Sequence, residues 1–139
     1  MVSIAGEITS AEAWRRLERD PEAVLVDVRT QAEWTYVGVP DLSALGRQVV
    51  LVQWQAFPGM QVNPAFAEQL ASLGVRPDQT VLFLCRSGAR SRSAAELMAL
   101  HGYGACYNVS DGFEGGLDGA RHRGGIGGWK WAGLPWLQG

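Results

Sequence analysis

The strongest constraint on the fold is an alternation of two periodicities. Short apolar runs, each the length of one buried strand, are separated by stretches with helical spacing. "TVLFLC" is the clearest run; "AVLVDVR" (Ala23 to Arg29), "QVVLVQW" (Gln48 to Trp54) and "GACYNV" read the same way. A first helix follows Thr9, whose spacing to Glu12 is that of a capping box, with Ile8 placed to staple onto Ala13 and Asp20-Pro21 closing it. "TQAEW" predicts one helical turn after the second run. Asn63-Pro64 offers an N-cap and a first-turn proline to a helix with Phe66, Leu70 and Leu73 on its apolar face and Gly74 as its stop. A last helix is predicted from Ser91 to His101, with Gly102 ending it. Tyr36 to Leu45 and "QAFPGMQ" read as loops. Strands that alternate with helices imply right-handed crossovers and a mainly parallel sheet covered on both faces, an α/β fold.

A chain of 139 residues, 47% hydrophobic, has enough apolar material for one real core. The net charge of -2 argues against bulk nucleic-acid binding, so any anion site has to be local. No run approaches the roughly 20 apolar residues of a membrane span. "MVSIAGEITS" lacks the pattern of a signal peptide, so the expected setting is the cytoplasm, where thiols stay reduced. The two cysteines, Cys85 and Cys106, form neither a C-x-x-C pair nor a metal cluster, and no cofactor or metal is expected. Cys106 lies in a strand pattern and reads as a small buried hydrophobe. After Ser110 the composition turns glycine-rich, with Trp129, Trp131 and Trp136 as anchors. The expected organisation is a domain over 1–116 and a Gly/Trp-rich tail over 117–139 that packs on or flanks it.

Cys85 is placed at the carboxyl end of the strongest strand, where parallel sheets form their sites. A tight turn through Gly88 and a helix start follow. Successive N–H groups in such a turn form an anion nest, and the helix adds the positive end of its dipole. A thiol there is pushed towards thiolate, the attacking form. Arg86 and Arg90 add positive charge as anion contacts, whereas Arg92 is expected to point outward. Asp27 and Arg29 read as a polar bracket for loops, with Arg29 placed to pair with Glu33.

"CRSGARS" resembles the active-site loop of the rhodanese (thiosulfate:cyanide sulfurtransferase) superfamily, "LVDVRTQAEW" its N-terminal strand and turn, and "NVSDGFEGG" its late strand and Gly-rich turn. The resemblance covers roughly residues 5 to 116. It implies a single-domain, three-layer rhodanese-like fold with a mainly parallel five-stranded sheet flanked by helices. It also implies a sulfurtransferase that holds a sulfane sulfur as a persulfide on Cys85. The loop from Arg86 through Ser87, Gly88, Ala89 and Arg90 to Ser91 would bind the substrate, with Ser87 and Ser91 donating hydroxyl hydrogen bonds. The partners implied are a small anionic donor such as thiosulfate and a thiol or cyanide acceptor, with a protein thiol as a further acceptor. One departure is "VGVPDLSAL", which keeps Gly38 and Pro40 of the family's Gly-His-Ile-Pro-Gly-Ala segment and lacks its His. Two rivals stand beside this reading. A binding or carrier module of the same fold would use the domain without turnover. A cysteine phosphatase would need Arg at the sixth residue after the cysteine, and here that residue is Ser91.

Overall fold

The computed structural model describes residues 3–56 and 59–138. Its centre is a five-stranded parallel sheet built from β1 (Gly6–Ile8), β2 (Val24–Asp27), β4 (Val50–Leu51), β7 (Thr80–Leu84) and β8 (Ala105–Val109). Their order is β1-β8-β7-β2-β4, every neighbour parallel. Helices α1 (Ser10–Arg19), α2 (Gln31–Tyr36), α3 (Phe66–Ser72) and α4 (Ala89–Leu100) lie between the strands in sequence. Two antiparallel pairs complete the strands: β3 (Val39–Pro40) with β9 (Trp136–Leu137), and β5 (Gln55–Ala56) with β6 (Gln61–Val62).

The two-residue period of β7 divides the core. Val81, Phe83 and Cys85 face one side of the sheet, packed with Phe66 and Leu70 of α3 and Ala94, Ala95 and Met98 of α4. Leu82 and Leu84 face the other, with Ala13 and Leu17 of α1, Phe113 and Trp129. Both faces of the sheet are thus covered, as continuous apolar strands require. Arg29 is fully buried on the second side, its guanidinium 4.2 Å above the Phe113 ring. Lys130 lies 3.8 Å from the Trp136 ring centre, and Trp136 meets Phe113 edge-on.

Several boundaries differ from the sequence reading. Thr9 caps α1 through the expected box. Thr30 builds a second such box with Glu33 at α2, a Thr-x-x-Glu spacing that the sequence carries openly. The Asn63-Pro64 start of α3 does not hold. The helix begins at Phe66 after an uncapped Ala65; Asn63 closes a separate turn ahead of it, its carbonyl accepting from the Phe66 N–H at 3.2 Å and its carboxamide oxygen from the Ala65 N–H at 3.0 Å. Leu73 is 59% exposed and lies off the apolar face. Only Val50–Leu51 of the run Gln48 to Trp54 pairs as strand. The Tyr36–Leu45 loop holds β3 and a short 3-10 turn at Ser43–Leu45, and "QAFPGMQ" contributes the hairpin strands β5 and β6. Phe57 and Pro58 of that loop lie outside the described residues. Trp129 is fully buried, Trp136 pairs through β9, and Trp131 is exposed.

Candidate active site

The strand order reverses between β2 and β7. From β2 the sheet proceeds to β4 on one side; from β7 it proceeds to β8 and β1 on the other. A crevice outside the carboxyl ends of such a pair is the natural place for a ligand. Cys85 follows β7 there, and Thr30 and Glu33 follow β2.

The loop after β7 is short. It runs from Cys85 to Gly88, and α4 starts at Ala89, two residues before the expected Ser91. Arg90 and Ser91 therefore belong to the first turn of the helix. Gly88 adopts φ +110°, and a Cβ there would strike the Ser110 carbonyl. This left-handed residue turns its N–H onto the Cys85 sulfur at 3.1 Å. The Gly-rich turn after β8 backs the loop. The N–H groups of Phe113 and Glu114 donate to the Cys85 and Arg86 carbonyls at 2.8 and 3.0 Å. Gly112 presses so closely on the Arg86 carbonyl that no side chain fits between them.

Cys85 is 1% exposed and forms the floor of a cavity of about 360 Å³, lined also by Arg86, Ser87, Ala89, Arg90, Glu33 and the hairpin residues Gln55 and Met60. A larger groove of about 610 Å³ beside Trp34, Val62 and Leu73 is lined by no cysteine, and the Ser72 hydroxyl at its wall donates to the Glu68 carbonyl at 2.9 Å. The loop residues divide into two groups. Arg86, Ser87, Ala89 and Arg90 reach the cavity, whereas Gly88 and Ser91 are buried beneath it. Ser91 Oγ lies 3.2 Å from the Cys85 sulfur and 2.6 Å from Asn108 Oδ1. The Asn108 amide nitrogen donates to Glu7 at 2.6 Å and to the Gly88 carbonyl at 3.1 Å, which fixes its oxygen toward Ser91. The Gly88 carbonyl is a third acceptor at 3.3 Å, so one hydroxyl proton faces three acceptors, and Asn108 holds the shortest contact.

Arg90 is not a free cation. Its Nη1 and Nη2 donate to the two Glu33 oxygens at 2.7 and 2.9 Å, in a pair whose side chains are 17% and 19% exposed. Burial alone would raise the Glu33 carboxyl. The Arg90 hydrogen bonds and the Thr30 backbone N–H outweigh it and hold the group down, to about 2. The same hydrogen bonds raise Arg90 against its own burial. Arg29, expected to pair with Glu33, instead binds both oxygens of Asp27 and the Gly38 carbonyl. The nearer carboxylate on its own strand end captures it, which leaves Glu33 to Arg90. Arg92 points outward to Glu7 at 2.6 Å. Cys106 is buried away from the cavity, and desolvation pushes its thiol up to about 11, which removes it from thiolate chemistry. Neither Glu33 nor Asn108 was singled out for the thiol site from the sequence; a lone asparagine inside the apolar strand "CYNV" was the available signal for the second.

A strand-end thiol under a glycine-turned loop, on a five-stranded parallel sheet, defines a rhodanese-like domain. The model of the STR4 middle domain family matches residues 5–139, and the chain belongs to that rhodanese-like family. The chain is similar to Rv0390 from M. tuberculosis, whose crystal structure superposes with a TM-score of 0.90 at 52% identity, covering 99% of this chain and 100% of that one. Protein RP600 of Rickettsia prowazekii is 40% identical over 93% of this chain and 94% of its own length. A sulfurtransferase of Allochromatium vinosum is 29% identical over 95% of this chain and 94% of its own. Among the described residues no helix is long and apolar enough to cross a membrane.

Proposed function

We propose that this domain transfers sulfane sulfur through a persulfide on Cys85, taking it from a small anionic donor and passing it to a thiol or to cyanide. The observation that carries the reading is the position of the Cys85 sulfur. It lies at the floor of an open cavity, under the Gly88 N–H at 3.1 Å and beside the first turn of α4. In the first half-reaction the Cys85 thiolate attacks the outer sulfur of the donor. A new S–S bond forms while the donor's own S–S bond breaks, and with thiosulfate as donor the bonding pair leaves on sulfite. The persulfide keeps one negative charge, on its outer sulfur, where the loop N–H groups and the helix dipole favour it. In the second half-reaction a nucleophilic acceptor takes that sulfur and returns the Cys85 thiolate, a ping-pong scheme. The cavity admits small donors, and a protein acceptor would have to present its thiol at the mouth beside Met60 and Arg86. A reducing, cytoplasmic setting would keep the two free cysteines available as thiols.

Mass spectrometry after treatment with a sulfane donor tests this. An adduct of about 32 Da on Cys85, absent in Cys85→Ser, is expected, with cyanide discharging it. Absence of the adduct with every sulfane donor would leave a non-catalytic binding module. Hydrolysis of aryl phosphates faster than sulfur transfer would point to the phosphatase reading instead.

A further inference from the structure

The arginines of "CRSGARS" suggest a strongly cationic cradle, but the cavity is not one. Glu33 lines the same cavity as Cys85 and engages Arg90 with both oxygens. Its carboxylate is also pinned from behind, where Oε1 accepts from the Thr30 N–H and hydroxyl at 3.2 and 3.1 Å. Arg86 is exposed at the cavity, and among the described residues it has no carboxylate within ion-pair distance. Beneath the loop, Asp27 and Arg29 form a pair that neutralises itself. Two arginines and one glutamate therefore leave a single net positive charge facing an incoming donor. The attacking thiolate already balances that charge.

We propose that Glu33 is a specificity-determining residue that tunes the cavity to singly charged sulfane donors, such as thiosulfonate or persulfide anions, over the dianion thiosulfate. This rests on the sulfur-transfer reading above. With a thiosulfonate the step needs no further reactant. The Cys85 thiolate attacks the terminal sulfur, the donor S–S bond breaks, and the bonding pair leaves on the sulfinate. Two negative charges enter and two remain, and no proton moves. With thiosulfate three negative charges must share the same cavity, and among the described lining residues the second cation beside Arg86 is Arg90, already paired with Glu33.

The test compares the methanethiosulfonate anion with thiosulfate in kcat/KM measurements, with cyanide as acceptor, on the whole chain. Glu33→Gln removes the charge while keeping a carbonyl oxygen for the Thr30 cap. Gln55→Lys adds a cation to another part of the cavity wall and leaves the Glu33–Arg90 pair alone, so it serves if the first variant fails to fold. Each raises the cavity potential by one charge, and that potential acts once on a monoanion and twice on a dianion. The gain for thiosulfate should therefore be the square of the gain for methanethiosulfonate, about tenfold against about threefold for screened charges at this range. Equal gains for the two donors, or a loss for thiosulfate, would overturn charge selection. Persulfide on Cys85 would still form in that case. If neither donor loads Cys85, the sulfur-transfer reading itself falls.

Discussion

Gly112→Ala is a sharp test of how the Gly-rich turn holds the thiol loop. Gly112 has φ +68°, and Gly46 has φ +69° in open space, so the two positions ask nearly the same backbone conformation of an alanine. That conformation costs an L-residue about 1 kcal/mol. At Gly46 nothing further is met within 4 Å. At Gly112 the new Cβ would lie 2.6 Å from the Ser87 nitrogen and against the Arg86 carbonyl, all backbone atoms that cannot swing aside. The turn must then withdraw from the loop. Withdrawal weakens the hydrogen bonds from Phe113 and Glu114 to the Cys85 and Arg86 carbonyls, worth about 1 kcal/mol each. The expected cost is about 3 kcal/mol at Gly112 against about 1 at Gly46. For a chain of this length that is a melting temperature lowered by about 10 °C against about 4 °C. Thermal unfolding measures it, and sulfur loading of Cys85 in the folded variants reads whether the loop has lost its shape. Equal melting shifts at the two glycines, or normal melting with normal loading in Gly112→Ala, would refute the argument.

Two further outcomes follow from buried charge. Arg29→Met should destabilise by about 3–5 kcal/mol, because it strands the fully buried Asp27 carboxylate; Asp27→Asn combined with Arg29→Met should recover part of that loss, as denaturant titration would show. The Glu33 carboxyl is held at about 2, below the ordinary 4.5, so its contribution is fully present above pH 4.5 and is lost as pH falls toward 2. The stability gap between wild type and Glu33→Gln should accordingly be widest near neutrality, at up to about 3 kcal/mol, and should close through that acid window. A gap independent of pH would mean that Glu33 acts through shape rather than charge.

The layered sheet was legible because its signal is local. Val81, Phe83 and Leu82, Leu84 alternate within five residues, and Thr9 announces α1 by one side-chain spacing. Cys85 was legible for the same reason: strand, thiol, glycine and helix are contiguous. What surrounds the thiol was not. Glu33 meets Arg90 across the reversal of the strand order, and Asn108 meets Ser91 from the neighbouring strand. Such pairs depend on which strand lies beside which, and local periodicity carries none of that. The expected Arg29–Glu33 pair shows the difficulty, since three acidic or basic residues near one strand end offered several partners and geometry chose Asp27 for Arg29. The start of α3 failed through competition, with Asn63 serving a turn rather than a cap.

Trp129 has a consequence for how the molecule reaches its shape. Its ring is fully buried edge-on against Trp14, in the same cluster as Leu17 and Leu82, so a residue from the last part of the sequence fills a core begun by the first helix. Until that indole arrives, one face of the sheet lacks its largest side chain. Closing so long a loop is entropically costly and kinetically late. During synthesis the strands can pair as they emerge, but the thiol loop gains its backing turn only once Gly112, Phe113 and Glu114 have emerged, and the second core closes only after Trp129. A nascent chain stalled short of Trp129 should therefore expose apolar sheet surface and offer chaperones a target that the finished domain hides.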